Sequence, residues 1–131
     1  MGFARAYLYF VGVMGLVFGV WYLVAPVTWT DPTGFGPLGP NALTDVRATY
    51  GGFQIGLGLF TIWAALDTSR VRMAIVLQLL TIGAIASCRL VGFAIDGSPN
   101  VFLRSAIVTE VSFTAITLIA LLRLPREPVA G

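Results

Sequence analysis

The sequence predicts an all-α membrane protein, a four-transmembrane-helix antiparallel bundle with both termini in the cytoplasm. Apolar residues make up 57% of the chain and charged residues only 11%, and the mean hydropathy is +0.89. The apolar residues fall into four runs of about 20 residues, the length that crosses the hydrocarbon layer. Because a small water-soluble domain cannot bury so much apolar surface, we expect a single membrane domain over residues 1–131.

The first predicted span covers residues 6–24 and ends before Pro26. Its apolar stretch is long for a secretory signal peptide and no small-x-small cleavage pattern follows, so we interpret it as a retained span. Residues 25–44 then contain four prolines and three glycines, a density that disfavours helix and strand. We expect an irregular outer loop, in which Trp29 and Phe35 either anchor the loop at the membrane interface or form a lid over the bundle.

Three further spans follow, at residues 46–66, 71–95 and 99–122. The turns between them are short, so spans two and three form one antiparallel hairpin and spans three and four form another. Gly97 suits the left-handed turn that ends span three. Ser98 before Pro99 has the pattern of a helix N-cap followed by proline at the first helical position.

The arginines predict the orientation of the bundle. One end carries five of them: Arg5, Arg70, Arg72, Arg123 and Arg126. The loop and the turn at the other end contain Asp31 and Asp96 but no arginine. Because basic residues accumulate in cytoplasmic loops, we expect a multi-pass protein of the bacterial inner membrane with both termini inside.

Three arginines depart from this rule and lie in the outer half of the bundle. They are Arg47, Arg89 and Arg104. Charges within apolar runs are costly in lipid and normally face the protein interior. Arg89 of span three and Glu110 of span four lie within about two helical turns of each other in depth. Arg104 lies off the Glu110 face, and we expect it to extend to the outer headgroups.

Helical spacing predicts one polar space in this half. Arg47, Tyr50 and Gln54 recur at intervals of three and four residues and therefore share a face of span two. If this face meets those of the next two spans, the space is surrounded by five candidate ligand-binding residues, namely Arg47, Tyr50, Gln54, Arg89 and Glu110. The Arg89–Glu110 pair then has two interpretations: an ion pair that only fixes helix register, or one that lines a ligand pocket.

Small and polar residues predict how the helices pack. G-x-x-x-G spacings in spans one and two, at Gly15 and Gly19 and at Gly52 and Gly56, indicate close contact between these spans. We expect Gln78 to make an interhelical hydrogen bond and Cys88 to be a small packing residue. Asp45 is expected to be an acidic residue at the N-terminus of a helix.

The composition also excludes several classes of site. The chain has no histidine and one cysteine, and all eight basic residues are arginine. Haem, zinc and copper sites rely on imidazole and thiolate ligands, and Schiff-base chemistry needs lysine. No glycine-rich phosphate loop follows a strand. We therefore expect no metal, no cofactor and no nucleic-acid partner.

A pattern that begins in span two resembles a known family. It consists of Asp45-Val-Arg47-Ala-Thr-Tyr50-Gly51-Gly52-Phe-Gln54-x-Gly56-x-Gly58, then Arg89-x-x-Gly92-x-x-x-Asp96-Gly97, and later Glu110. Over nearly the whole chain, it is similar to a bacterial family of small four-span proteins known only as a domain of unknown function. In size and span count, the chain is also loosely similar to the DoxX-like membrane proteins. The resemblance implies an integral inner-membrane protein of four helices and supplies no activity.

Three functions are compatible with the sequence. The first is binding of a small amphipathic ligand, such as a lipid, a quinone or an isoprenoid, or service as an accessory or structural membrane subunit. The second is a membrane enzyme in which Glu110 donates or accepts a proton and Tyr50 orients a lipophilic substrate. The third is a small proton-coupled transporter, which Arg89 disfavours because it holds Glu110 ionised. Apart from the lipid bilayer, the sequence leaves the partners open, including a homo-oligomer.

Overall fold

A computed structural model describes residues 1–97 and 99–125, and all regular structure in these ranges is helical. The elements are α1 (Gly2–Val24), α2 (Val27–Thr33), α3 (Pro40–Val46), a π-helical segment (Arg47–Gly52), α4 (Phe53–Ala65), α5 (Thr68–Asp96) and α6 (Val101–Leu122). We call the end with Met1, the α4–α5 turn and Pro125 the terminal end. The opposite end, with α2 and the α5–α6 turn, is the loop end.

Three helices in the described ranges are long and apolar enough to cross a membrane. They are α1, α5 and α6, with mean hydropathies of 1.9, 2.0 and 1.9 over their most apolar windows. The predicted second span, residues 46–66, is not among them. The reason is that the π-helical segment divides this run, and α4 alone has 13 residues, too few to cross the hydrocarbon layer.

The helical run that contains α4 nevertheless continues from Pro40 to Ala65 without a break. Its three parts have 7, 6 and 13 residues, and the backbone at the junctions Val46 and Gly52 is right-handed helical. The π-helical segment corresponds to the Arg-x-x-Tyr-Gly-Gly part of the sequence pattern. Segments of this kind occur frequently at functional sites.

The prediction of an irregular loop at residues 25–44 is wrong, because two short helices form there. Pro26 directly precedes α2 and Pro40 opens α3, positions where the missing N–H removes no helical hydrogen bond. Gly34, with φ of +88°, ends α2. Pro26, Gly34 and Pro40 therefore delimit the helices here, whereas Pro32 lies within the last turn of α2.

Capping residues set the ends of α5 and α6. Asp67 caps α5, accepting hydrogen bonds from Ser69 N (2.9 Å) and Ser69 Oγ (2.8 Å). These bonds, with a smaller contribution from Arg70, lower the pKa of the Asp67 carboxyl. Gly97 ends α5 with φ of +97° and ψ of −159°, so its φ is positive, as glycine allows, but its conformation is not the predicted left-handed turn. Asn100 caps α6 by accepting from Leu103 N (2.9 Å).

Two residues named in the sequence analysis, Ser98 and Arg126, lie outside the described residues. Three smaller predictions need correction. Pro99 precedes α6 instead of opening it, because the Asn100 side chain provides the cap. Asp45 lies near the end of α3, not at its start, since the helix begins before the predicted span. Cys88 is exposed and is not a packing residue.

The apolar core lies at the terminal end. The buried residues that form it are Ala4, Tyr7, Leu8, Ala64, Ala65, Val71, Ala74, Ile75, Ala120 and Leu124. They come from all four long helical runs. The small side chains on α4 and α5 allow the helices to approach closely at this end.

Hydrogen bonds between the long helical runs reinforce the same end. The Tyr7 hydroxyl contacts the Thr117 hydroxyl and joins α1 to α6. Gln78 Nε2 donates to Thr61 Oγ1 (2.6 Å) and joins α5 to α4, which confirms the interhelical bond predicted for Gln78. Arg5 Nε donates to the Ala65 carbonyl (2.9 Å). Arg5 therefore satisfies an orphan acceptor at the end of α4.

A seam of glycines brings α1 into backbone contact with the π-helical segment and α4. A Cβ on Gly19 would lie 2.8 Å from Ile55 N, and one on Gly58 would lie 2.8 Å from the Gly12 carbonyl oxygen. The predicted contact between spans one and two is therefore present. Gly52 and Gly56, however, have no neighbour within 4 Å of the Cβ position, because Gly51 and Gly58 face α1 instead.

Candidate ligand cleft

Arg89 of α5 and Glu110 of α6 form a two-pronged ion pair. Arg89 Nε donates to Glu110 Oε2 at 2.9 Å and to Oε1 at 3.1 Å, and Nη2 donates to Oε1 at 2.7 Å. The fork of the guanidinium matches the two carboxylate oxygens, which makes this the strongest class of side-chain ion pair. The side chains are 27% and 17% exposed. The pair is thus sheltered but still accessible.

The helices around the pair are loosely packed. Within the described residues, α5 has no buried residue beyond Ala86, and α6 has none before Thr117. The ion pair lies in this stretch, whereas the core and the interhelical hydrogen bonds described above lie at the terminal end. Helices α5 and α6 are therefore less buried at the loop end than at the terminal end.

An aromatic wall faces Arg89 from the α1 side. The rings of Tyr22 on α1 and Tyr50 on the π-helical segment stack with centroids 5.4 Å apart and planes 26° from parallel. Phe35 meets Tyr50 edge to face at 6.5 Å. Both tyrosines are close enough to interact electrostatically with the Arg89 guanidinium. We define the loop-end cleft as the space lined by Tyr22, Tyr50, Arg89 and Glu110.

Helix α2 covers the loop end and places Trp29 at its centre. The Trp29 ring packs against Phe18 (5.2 Å) and Trp21 (5.4 Å) of α1 and against Phe102 (6.2 Å) of α6. Asn100 Nδ2 donates to the Pro32 carbonyl (2.8 Å) and ties α2 to the start of α6. These contacts hold α2 against α1 and α6 at the loop end.

Trp29 also carries an unusual polar atom. Its Nε1 is buried and has no hydrogen-bond partner among the described residues. Buried indole N–H groups usually find an acceptor. Buried polar groups without a partner are rare in proteins, so the unpartnered Trp29 Nε1 calls for an explanation.

The other predicted site residues lie in different surroundings. Arg47 Nε donates to the Leu23 carbonyl at 3.0 Å, which caps the C-terminus of α1. Gln54 is partly exposed, and its side chain bonds to none of the residues described. Arg104 is exposed and bonds to the Pro99 carbonyl at 3.1 Å. The structure brings together Tyr50, Arg89 and Glu110.

Sequence reasoning did not assign Tyr22 to the site, and it named Trp29 only as an aromatic residue of the outer loop, either an anchor or part of a lid. Tyr22 lies near the end of a predicted span, where aromatic residues commonly mark the membrane interface. A signal was nevertheless present, since Trp21 and Tyr22 precede Pro26 and Trp29 follows it. A chain that turns back at Pro26 brings Trp29 onto the end of the helix it has just left.

A cavity at the loop end does not involve the ion pair. Its volume is about 600 Å³, and it is lined by Val27, Thr30, Asp31, Gly34, Gly36, Pro37 and Leu38. These residues belong to α2 and the following turn. Because the two-pronged Arg89–Glu110 pair lies in the loop-end cleft and not in this cavity, we place the candidate site in the cleft.

Comparison with known proteins identifies the family of the chain. Neither the curated proteins nor the solved structures contain a match. A family model described as "Domain of unknown function (DUF4345)" matches residues 3–121, which include every residue of the loop-end cleft. The resemblance to a domain of unknown function is therefore confirmed, and the chain belongs to the DUF4345 family.

Proposed function

We propose that the chain is an integral membrane protein that binds a small amphipathic molecule in the loop-end cleft. The observation that carries this proposal is the Arg89–Glu110 pair facing the Tyr22–Tyr50 stack where the helices are loosely packed. A pair needed only for helix register would be expected among the packed residues of the terminal end. Polar groups set in a mostly apolar recess suit a ligand with a polar head and an apolar body.

In this proposal, the run from Pro40 to Ala65 is the fourth membrane crossing. At about 1.5 Å per residue, an uninterrupted run of this length exceeds the hydrocarbon thickness of about 30 Å. The four arginines at the terminal end, Arg5, Arg70, Arg72 and Arg123, favour a cytoplasmic position for that end. The cleft then opens toward the outer leaflet of the bacterial inner membrane.

The geometry supports binding over the two chemical alternatives. Both oxygens of Glu110 already accept hydrogen bonds from Arg89. A carboxylate whose two oxygens are both engaged by a guanidinium has few lone pairs left through which to exchange a proton with a substrate. Acid–base catalysis and proton-coupled transport both require that exchange.

The test is whether a small molecule co-purifies with the protein. We expect the full chain, purified in mild detergent and extracted, to yield one lipophilic compound at near-stoichiometric amounts by mass spectrometry. Tyr50→Ala removes one ring of the aromatic wall and should reduce the yield at least fivefold. Phe53→Ala is the matched control, because Phe53 is 57% exposed and lies one turn further along the same run.

Two results would contradict the proposal. One is the absence of any compound above the detergent background in the wild-type extract. The other is an equal yield from the Tyr50→Ala and Phe53→Ala variants. Either result would leave a structural or accessory role as the better account of the Arg89–Glu110 pair.

A further inference from the structure

Building on the proposed function, we infer that the loop-end cleft selects an uncharged, planar head group that accepts hydrogen bonds. This is the chemistry of a quinone, and it differs from that of anionic lipids and of long-chain alcohols. Three properties of the lining lead to this class: its charge balance, its surplus of donors and its flat aromatic surface.

The charge balance disfavours an ionic head group. Arg89 is neutralised by Glu110 through two guanidinium nitrogens. An anionic head placed against Arg89 would also meet the Glu110 carboxylate, and a cationic head placed against Glu110 would meet the guanidinium. Separating the pair to avoid this would leave a charge without its partner in an apolar setting, which is unfavourable. An uncharged head leaves the pair intact.

The polar groups left over are mainly donors. In the described part of the chain, Arg89 Nη1 and the hydroxyls of Tyr22 and Tyr50 have no hydrogen-bond partner, and none of them is fully enclosed. Trp29 Nε1 is buried and also without a partner. Trp29 contacts the lining through Tyr22, with ring centroids 6.5 Å apart. Guanidinium and indole N–H groups can only donate, whereas the tyrosine hydroxyls can donate or accept. Glu110, the acidic acceptor here, is already occupied by Arg89, so a ligand rich in acceptors is favoured.

The aromatic surface favours a planar head. The stacked rings of Tyr22 and Tyr50 present π-faces, and Phe35 approaches Tyr50 by its edge. A planar conjugated ring can extend such an arrangement by offset or edge-to-face contact. A saturated alcohol lacks this contact, and it brings a donor to a site that already has several.

The experiment compares three probes with the same ten-carbon chain: a decyl-substituted benzoquinone, decanol and decanoate. Full-length protein in mild detergent is passed through a desalting column, and the retained probe is measured against a blank of protein-free micelles. We expect the quinone to be retained near one per chain, with decanol and decanoate at least tenfold weaker. The double variant Tyr22→Phe/Tyr50→Phe keeps both rings and should weaken quinone binding about tenfold.

Tyr9→Phe is the matched control, because Tyr9 is packed against the core of the terminal end and should bind like wild type. Stronger retention of decanoate or decanol than of the quinone would overturn the inference and leave the proposed function standing. Unchanged quinone binding in the double variant would also overturn it, because the hydroxyl donors would then be unused. Retention of none of the three probes, with no co-purifying compound, would contradict the proposed function itself.

Discussion

Arg89 and Glu110 come from consecutive helices, and their geometry leaves neither charge alone in the apolar layer. The carboxylate accepts three bonds from one guanidinium. A lone charge at this depth in lipid is unfavourable by several kcal/mol. Pairing removes much of that penalty, so each residue is tolerated because of the other.

This interdependence predicts a strong coupling between the two residues. Arg89→Gln and Glu110→Gln should each lower the free energy of unfolding by about 1–3 kcal/mol, less than for a fully buried pair because both side chains are partly exposed. The double variant should recover most of the loss, since two amides can bond to each other. Chemical unfolding in detergent measures the cycle. Arg104→Gln, at an exposed position, should change stability by less than about 0.5 kcal/mol.

Additive losses in the double variant would show that the two side chains act independently. The cycle also separates the two interpretations of the pair. If the pair stabilises the fold and the co-purifying compound is absent, helix register is its role. If the compound is present and depends on Tyr50, the pair also lines a binding site.

Sequence reasoning could anticipate this pairing because the depth of a charged residue follows from its distance to the turn. It could not anticipate the hydrogen-bond partner of Arg47, although Arg47 lies on the expected face of the helix. Arg47 binds the Leu23 carbonyl, because the last carbonyls of α1 lack partners within their own helix. Whether Arg47 binds the end of α1 or the predicted polar space depends on tertiary contacts. The spacing of residues within one helix does not encode those contacts.

At the scale of elements, the glycine seam determines how closely α1 approaches α4. A Cβ on Gly58 would lie 2.8 Å from the Gly12 carbonyl oxygen and 3.0 Å from Leu16 N. Both contacts are with backbone atoms, which cannot rotate away as a side chain can. The two helices therefore have to separate if either glycine gains a side chain.

Gly58→Ala should consequently destabilise the protein by about 1–3 kcal/mol, the usual result of forcing an extra methyl group into a packed contact. Gly56→Ala is the matched control, because nothing lies within 4 Å of its Cβ position and alanine is favoured over glycine within a helix by about 0.5–1 kcal/mol. Thermal unfolding in detergent should rank Gly56→Ala at or above wild type and Gly58→Ala below it. The opposite order would contradict the close contact between α1 and α4 at Gly58.

The ends of the long helices agree with the sequence prediction within a few residues, whereas the segment between α1 and α4 does not. Apolar periodicity extends over many residues and identifies the long elements. In short elements such as α2 and α3, packing can outweigh the density of proline and glycine, as the contacts of Trp29 with α1 and α6 show. The π-helical segment could not be predicted from periodicity either, because one extra residue in a helical turn leaves the run of apolar residues uninterrupted.

At the scale of the molecule, the packing is asymmetric along the bundle axis. Hydrogen bonds join α1 to α6 and α4 to α5 at the terminal end, and the apolar core is there too. At the loop end, α1 contacts the π-helical segment through Gly19 and Gly51, and the Arg89–Glu110 pair joins α5 to α6, but α5 and α6 have few buried residues there. Regions with fewer buried contacts open more readily than the core, so we expect local opening at the loop end before the terminal end.

The proposed topology has its own test, based on labelling with a membrane-impermeant maleimide. With Cys88 replaced by serine, Asp31→Cys introduces a thiol at the exposed loop end and Thr68→Cys one at the exposed terminal end. If Pro40–Ala65 crosses the membrane, intact cells should label only Asp31→Cys, and Thr68→Cys should react only after permeabilisation. Labelling of both from one side would mean that this run does not cross. Labelling of Thr68→Cys alone in intact cells would preserve the crossing and reverse the orientation, because the arginine-rich end would then lie outside.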